Sequence, residues 1–349
     1  MAVLTRKIKI GNICIGGGMP VAIQSMATFR IADISRSIEE AVRLKNAGCD
    51  ILRFSACDLQ DAKAFSLVKR ECDMPLVADI HFDYKLALAS IDGGADKIRI
   101  NPGNIGSQEN LKEVAMALKN AKIPVRVGSN SGSIEKEFLE KYGKNEISLG
   151  ESALKRVSML EKYGVDNIVI SVKASDVPLM VKAYEYVAEK CDYPLHLGVT
   201  EAGTEYTGVV KNSIGIGALL LNGIGDTIRV SLSADTLSEV KAAKSILSAI
   251  NLKNDCAKII ACPTCGRCAW DCMGFAKRVE ALTANIKKPI TIAVMGCAVN
   301  GPGEAKDATI GVAGAKDGCC IFIKGEIIKK VPEAQLEQAF LEELNKCLQ

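Results

Sequence analysis

Between about residues 21 and 249, short apolar runs alternate with longer helix-period segments, and the alternation repeats eight times. The strand-like runs are VAIQSM (21–26), DILRFS (50–55), PLVADI (75–80), KIRIN (97–101), PVRVGS (124–129), NIVISVK (167–173), PLHLGVT (194–200) and TIRVSL (227–232). The segments between them have helical spacing, as in SRSIEEAVRLKNAG, where Gly48 stands at the expected helix stop. Eight units of similar spacing predict a closed (β/α)8 TIM barrel rather than an open doubly wound sheet. The longest interval follows the fifth run, where NSGSIEKEFLEKYGKNEI (130–147) reads as a loop or short helix near one barrel mouth, or as a solvated surface insertion.

A barrel needs about 250 residues, and this chain has 349. The remainder predicts a second domain: residues 1–250 as the substrate-binding barrel, 251–256 as a polar linker, and 257–349 as an α+β domain. In that last part AKIIAC, ITIAVMGC, ATIGVAG and CCIFIKG read as strands, with helices near 271–284 and 333–347. The formal net charge of +3 is too small to point to nucleic acid. No run of apolar residues is long enough for a membrane span, and Lys7, Lys9 and a triple glycine interrupt the N-terminal stretch where a signal peptide would need a continuous apolar segment. A cytoplasmic protein is expected, its 14 cysteines reduced rather than paired in a disulfide scaffold.

Strands enclosed by helices should be nearly free of charge. Here Arg53 closes the second run, Asp79 and His81 the third, and Arg99 and Asn101 the fourth; Arg126 lies in the fifth, with Ser129 and Asn130 after it. Lys173 ends the sixth, Thr200 and Glu201 the seventh, and Arg229 and Ser231 lie in the eighth. The C-terminal strand ends of such barrels build the active site, so Arg53, Arg99, Arg126, Lys173 and Arg229 would converge on one mouth. Asp79, Asp96 and Glu201 are too few to pair with all five. Arginine forks grip phosphate oxygens, so a small and highly anionic substrate is expected, most simply a diphosphate. His81, just past a strand end, is a substrate contact; His196, inside its run, reads as a hydrogen-bonded core residue. Glu201, facing the cations, is a candidate acid or base, unless it pairs with Lys173. The glycine-rich pieces IGGGMP and IGIGALLLNGIGD fit no nucleotide-binding pattern.

The second domain carries ACPTCGRCAWDC, with cysteines at 262, 265, 268 and 272 in the C-x2-C-x2-C-x3-C spacing of bacterial ferredoxins. Spacing alone favours these four as one ligand set. A second segment, MGCAVNGPGE, brings Cys297 to a strand end, and its Asn-Gly-Pro-Gly turn can swing Glu304 back toward Cys297. That arrangement suggests a metal site with one oxygen ligand.

The motifs CPTCGR, GCAVNGPGE, HLGVTEAGTEYTG, KIRINPGN, PVRVGSNSGS and GIGDTIRVSL, in this order along essentially the whole chain, resemble those of the 4-hydroxy-3-methylbut-2-en-1-yl diphosphate synthase family. The resemblance implies a barrel followed by an iron–sulfur domain similar to the sulfite reductase repeat. It implies a [4Fe-4S] cluster held by Cys262, Cys265, Cys297 and Glu304, with Cys268 and Cys272 outside the site. The implied reaction is the two-electron reductive ring opening and dehydration of 2-C-methyl-D-erythritol 2,4-cyclodiphosphate to the hydroxymethylbutenyl diphosphate, an isoprenoid precursor. Substrate would be gripped by Arg53, Arg99, Arg126, Lys173 and Arg229, with His81, Asn101, Asn130, Thr200, Ser231 and Asn300 as further contacts. Glu201 would supply a proton, and Glu304, a harder ligand than thiolate, would leave one iron open to a substrate oxygen. Ferredoxin or flavodoxin is the implied electron donor. A linker leaving the lower barrel face is short for its own cluster domain to reach the upper mouth, so a head-to-tail homodimer is implied. One departure stands out: SMATFRIAD follows Gln24 where the family has a Thr-Asn-Thr type stretch, which removes the ground for assigning Thr28 a substrate role.

Overall fold

A computed structural model describes residues 4–253, 256–284, 286–297, 303 and 305–349. The chain divides into two compact units, Met1–Leu252 and Lys253–Gln349; the change of unit falls inside the stretch expected to be a linker.

The first unit opens with a hairpin that the sequence does not announce, β1 (Ile8–Ile10) paired antiparallel with β2 (Ile13–Ile15). The barrel strands follow: β3 (Ala22–Met26), β4 (Ile51–Ser55), β5 (Leu76–Asp79), β6 (Lys97–Ile100), β7 (Val125–Asn130), β8 (Ile168–Lys173), β9 (His196–Leu197) and β10 (Thr227–Ile228). They pair in parallel in chain order from β3 to β8, β10 joins β3 to β9, and the bridge Ile170↔Leu195 closes the ring. The closed parallel barrel read from the eightfold alternation is therefore the fold of this unit. The seventh and eighth runs are correct in place but too long in extent. Only two residues of each form regular ladder, although Arg229 N–H still donates to the Leu197 carbonyl at 2.9 Å and Thr200 N–H to the Ala174 carbonyl at 3.3 Å.

Between strands lie the helices, and their N-termini are fixed locally. Asp33, Asp58, Asp83, Ser107, Asn145, Asp176 and Asp235 each accept a hydrogen bond from a first-turn backbone N–H, satisfying donors that a helix start leaves orphaned. The insertion after β7 contains a short helix, Lys136–Tyr142. Its N-cap residue, Glu135, pairs with Arg156 Nε at 2.8 Å. The buried Arg156 also donates to the Gly128 carbonyl at 2.8 Å.

Period-two alternation sorts the strand residues. Leu52, Phe54, Leu76, Ala78, Ile98, Ile100, Val125, Val127, Ile168, Ile170 and Val172 point outward into the main core beneath the helices. Ala22, Ile51, Val77 and Val169 point inward at the N-terminal ends of their strands and pack on Ile8, Ile10 and Ile15 of the hairpin. The hairpin is thus an apolar plug under the barrel. Two residues further along the same inward face, Ile51 gives way to Arg53 and Val77 to Asp79, and four residues on, Val169 gives way to Lys173. The interior turns from apolar to charged within one step of the alternation.

In the second unit, β11 (Lys258–Ala261), β12 (Thr291–Met295) and β13 (Ile310–Ala315) are parallel, and β14 (Gly318–Ile323) and β15 (Glu326–Val331) continue the sheet antiparallel. The strand β15 is absent from the sequence reading. Helices Cys272–Thr283 and Leu336–Leu348 cover one face through Phe275, Val279, Phe340 and Leu344 against Ile292, Val294, Val312 and Ile321. The other face carries Ala293, Met295, Ala313, Cys320 and Phe322.

Candidate functional site

The inward charges of the barrel meet. Asp79 Oδ1 accepts from Arg99 Nη1 at 3.0 Å, and Asp79 Oδ2 lies 3.6 Å from Arg53 Nε. Arg229 Nη2 reaches Glu239 Oε1 at 3.1 Å, and its Nη1 donates to Ser231 Oγ at 3.1 Å. Arg99 and Arg126 are register partners on β6 and β7, as are Asn130 and Lys173 on β7 and β8. Asn101 is buried, its Oδ1 accepting from Gly103 N–H at 3.1 Å. The Thr200 backbone hydrogen bond to Ala174 ties its loop to the end of the strand that carries Lys173. His81 is exposed at the rim, with Nε2 4.0 Å from Asp79 Oδ2. Glu201 is exposed and takes φ +51, a left-handed conformation uncommon outside glycine and often found where function holds the backbone. Asn300 and Glu304 lie outside the described residues.

Charge does not balance here. Arg53, Arg126 and Lys173 are buried, and Lys97, fully buried one step below Arg99 on the same face, adds a further cation. Its Nζ donates to Gln24 Oε1 at 3.1 Å. Among the described residues, the carboxylates within ion-pair distance of these groups are Asp79 and Glu239. Asp96 instead pairs with Lys69 at 2.6 Å, away from them.

The surplus registers in the most deeply buried titratable groups. Burial, reinforced by neighbouring Arg126 and Arg53, pushes the Lys97 ammonium well below its ordinary value, and burial with Arg126 and Arg229 does the same to Lys173. Burial lowers Arg53 to about 10, partly against the pull of Asp79, and with neighbouring Arg53 and Arg99 holds Arg126 well below its ordinary value. Burial would raise the Asp79 carboxyl, but Arg53, Arg99 and Arg126 outweigh it and hold it at about 2. Buried donors are left over as well. Arg53 Nε, Arg99 Nε, Arg126 Nε and Nη1, and Arg229 Nε have no hydrogen-bond partner among the described residues. Unmade hydrogen bonds of buried charged groups are costly, and an anion with several oxygens would satisfy them together.

His196 behaves as a core residue. It is fully buried, Nδ1 meets Thr227 Oγ1 at 2.7 Å, and burial beside Arg126 and Lys173 holds the ring neutral.

Lys97 and Glu239 extend the set of charged groups read from sequence. Lys97 stands two residues before Arg99, so the alternation that singles out Arg99 locates it too. Glu239 sits on helix Thr236–Ala249 and reads as an ordinary helix carboxylate until the fold turns it inward, where Arg229, Ser25 and the Leu232 N–H meet it.

In the second unit, parallel pairing sets Ala261 opposite Val294, so β11 and β12 deliver Cys262 and Cys297 to the same edge of the sheet. The Arg267 guanidinium hydrogen-bonds the Cys265 thiol, lowering its pKa, and faces Cys297 and Cys262 as well. Cys272 is different. It is buried under the sheet with Phe275 and Val279, and burial pushes its thiol up to about 12. Cys319, also buried, is pushed up to about 12. Half-exposed thiols gathered around one guanidinium suit an iron–sulfur cluster, which binds thiolates. Among the described residues no three histidine, cysteine or carboxylate side chains lie close enough to hold one metal ion. The ligands of a cluster bind different irons and stand further apart, so the two observations agree.

A family model described as the GcpE TIM-barrel domain matches residues 5–244, and one described as the GcpE protein C-terminal domain matches residues 258–346. The chain is 52% identical over its whole length, and over 98% of the relative, to a protein of Caldanaerobacter subterraneus subsp. tengcongensis. It is 50% identical to one of Fusobacterium nucleatum subsp. nucleatum, covering 99% of this chain and 96% of that one. Both are named 4-hydroxy-3-methylbut-2-en-1-yl diphosphate synthase (flavodoxin). Among solved structures, a dihydropteroate synthase of Stenotrophomonas maltophilia matches with TM-score 0.51 at 12% identity, over 71% of this chain and 98% of that one. A 3-dehydroquinate dehydratase of Geobacillus kaustophilus matches with TM-score 0.51 at 17% identity, over 72% and 98%. At those identities the likeness is one of barrel fold alone.

Proposed function

Because the chain belongs to the GcpE family, matched by both of its domain models and by full-length relatives at about half identity, we propose that it is an oxidoreductase that opens 2-C-methyl-D-erythritol 2,4-cyclodiphosphate reductively to 4-hydroxy-3-methylbut-2-enyl diphosphate. The observation that carries the reading is the group of unpaired guanidinium N–H donors among surplus cations inside the barrel. A cyclic diphosphate is compact, multiply anionic and rich in acceptor oxygens. Arg53, Arg99, Arg126, Lys173 and Arg229 grip its phosphates, with Asn101, Asn130, Thr200, Ser231 and His81 orienting the ring from the rim.

Cys262, Cys265, Cys297 and Glu304 would hold a [4Fe-4S] cluster, with Asn300 in the same sequence segment as Cys297 and Glu304. When bound, that group supplies electrons one at a time and an iron open to an oxygen donor. The chain's own contribution is charge compensation by the cations, exclusion of water, and a proton from Glu201 as the hydroxyl departs. Flavodoxin, printed in the relatives' names, is the electron donor that this reading adopts, with ferredoxin the alternative one-electron carrier. The protein acts in the cytoplasm; among the described residues no helix is long and apolar enough to cross a membrane.

Helix Thr236–Ala249 runs back from the mouth to the face plugged by the β1–β2 hairpin, and the second unit begins at Lys253. A head-to-tail dimer, in which each cluster domain closes the partner's barrel, brings the two half-sites together. Anaerobic assay of the reconstituted protein with the cyclic diphosphate and dithionite tests the activity: product formation is expected, and an intact cluster without turnover would overturn the reading. Mixing an Arg126→Met protein with a Cys297→Ala protein tests the shared site, since activity returns only if the halves come from different chains.

A further inference from the structure

The chain has a single tryptophan, and it joins the two cysteine segments of the second unit. Trp270 lies on the loop that carries Cys265, just ahead of helix Cys272–Thr283. Its carbonyl accepts from Cys272 N–H at 2.8 Å, and the loop folds on itself through Cys268 N–H to the Cys265 carbonyl at 2.9 Å. The indole reaches the other segment, where Nε1 donates to the buried Gly296 carbonyl at 3.2 Å. Gly296 immediately precedes Cys297, and the pairing of β12 with its neighbours ends before it, at Val294 and Met295. Two glycines make room for the ring. A methyl group on Gly314 of β13 would stand 2.5 Å from the Gly296 carbonyl oxygen and 2.6 Å from Trp270 Cδ1; one on Gly296 would stand 3.2 Å from Cys268 Cβ. Neither glycine takes a positive φ, so close approach calls for them. The indole centroid lies 5.6 Å from that of Phe275, which lies 5.6 Å from that of Phe340, and this stack ties the ring to the core under the helices.

We infer that Trp270 is a positioning residue for Cys297, fixing that thiol relative to Cys262 and Cys265. The inference rests on the reading above of these three cysteines as cluster ligands. Cys262 is placed by the sheet itself, since its N–H donates to the Val294 carbonyl at 2.9 Å. Cys297 stands two residues past the last ladder pair of β12. The Gly296 carbonyl belongs to the peptide bond that leads into Cys297. Because that unit is planar, a hydrogen bond to its oxygen orients the plane from which the Cys297 side chain departs. Residues that orient the ligands of a metal in this way are worth roughly 10–100-fold in metal affinity. Loss of the indole N–H would also leave a buried carbonyl unsatisfied, and the strand end would turn to find another donor, carrying Cys297 with it.

The rate at which a chelator strips iron from the anaerobically reconstituted full chain tests this. Trp270→Phe keeps a ring beside Phe275 and removes the donor; it is expected to lose iron about 10-fold faster than the wild type. Phe275→Leu disturbs the packing and keeps the donor. It is expected to unfold at lower urea concentration but, while folded, to lose iron at the wild-type rate. A wild-type rate in Trp270→Phe, or an equal acceleration in Phe275→Leu, reduces the indole to core packing and overturns the positioning role while leaving the parent reading in place. If circular dichroism shows that Trp270→Phe misfolds, replacement of the single tryptophan by benzothienylalanine decides instead. That residue exchanges the N–H for sulfur at nearly the same shape, and the same acceleration is expected, with a wild-type rate again overturning the role. A wild-type chain that takes up no cluster, or one whose cluster is indifferent to Cys297→Ala, overturns both readings.

Discussion

Arg99 commits one nitrogen to Asp79, at 3.0 Å, and leaves its Nε buried without a partner among the described residues. The same carboxylate faces Arg53 at 3.6 Å, so a single acid offsets part of two guanidinium charges. Removing it leaves both facing Arg126 without a carboxylate at ion-pair distance among the described residues. Asp79→Asn is expected to destabilise the ligand-free protein by about 3 kcal/mol, the usual cost of breaking a buried pair from one side, and inorganic diphosphate should recover much of the loss in urea unfolding. The sign of the pH dependence follows from the folded value of about 2, below the ordinary ~3.9 of an aspartate. The contribution is fully present above about pH 4 and disappears as pH falls toward 2, and that acid-side loss should be absent from Asp79→Asn.

Arg126 should show the opposite sign. It is buried, and among the described residues it has no carboxylate of its own and no partner for its Nε and Nη1. Replacing such a charge with an apolar side chain of similar length relieves a desolvation cost that the empty site does not recover. Arg126→Met is therefore expected to raise the stability of the ligand-free protein by about 1–3 kcal/mol while weakening inorganic diphosphate binding by about 100-fold, roughly the worth of a charge-assisted fork. Urea unfolding and calorimetric titration check the two halves separately. A variant that loses both stability and affinity would show that Arg126 is an ordinary structural residue.

Strands β3 to β8 and the helices between them are legible because period-two and helical spacing both report burial directly. The hairpin β1–β2 is not, because each strand has three residues and Lys9 and Cys14 interrupt the apolar pattern; only the barrel floor it plugs makes sense of it. Strand β15 is obscured by its place at the sheet edge, where Ile327 and Ile328 stay exposed. At the barrel mouth the cations can be read from the chain because a charge inside a parallel strand has few bland explanations. Glu239 cannot, since a carboxylate on an amphipathic helix carries no mark of which face will be buried. The four closely spaced cysteines do not share one environment. Three lie on the loop after β11, but Cys272 is the first residue of helix Cys272–Thr283, and the helix turns it into the core.

His196 gives a prediction on the acid side of neutrality. Burial beside Arg126 and Lys173 keeps the folded ring well below the ordinary histidine value, while the unfolded chain protonates near pH 6.5. The unfolded state thus binds the extra proton, and stability falls as pH drops below about 6.5, by up to ~1.4 kcal/mol per pH unit. Above that pH both states are neutral at this residue and it contributes nothing. His196→Gln can still meet Thr227 and does not titrate. The difference in unfolding free energy between the two proteins should therefore shift in favour of the variant between pH 6.5 and 5. A flat difference would mean that the ring is protonated in the native barrel.

Gly198 joins the fold to the site. It follows β9, and a methyl group there would stand 2.5 Å from the Arg229 carbonyl oxygen and 2.9 Å from Lys173 Nζ. The ammonium could swing away, but the carbonyl is fixed because the adjoining Arg229 N–H is bonded to Leu197 at 2.9 Å. Alanine would therefore have to part β9 from β10 where their ladder is only two residues long, and would move Arg229 and Lys173 together. Gly198→Ala is expected to cost about 1–3 kcal/mol, the usual penalty for overpacking, and to weaken diphosphate binding through two cations at once. Restoring space elsewhere by Lys173→Ala should relieve the side-chain clash but not the carbonyl clash. The double variant should therefore stay less stable than Lys173→Ala alone in thermal unfolding. Equal stability of those two proteins would mean that the strands part without cost, and that close approach is not why glycine stands at this position.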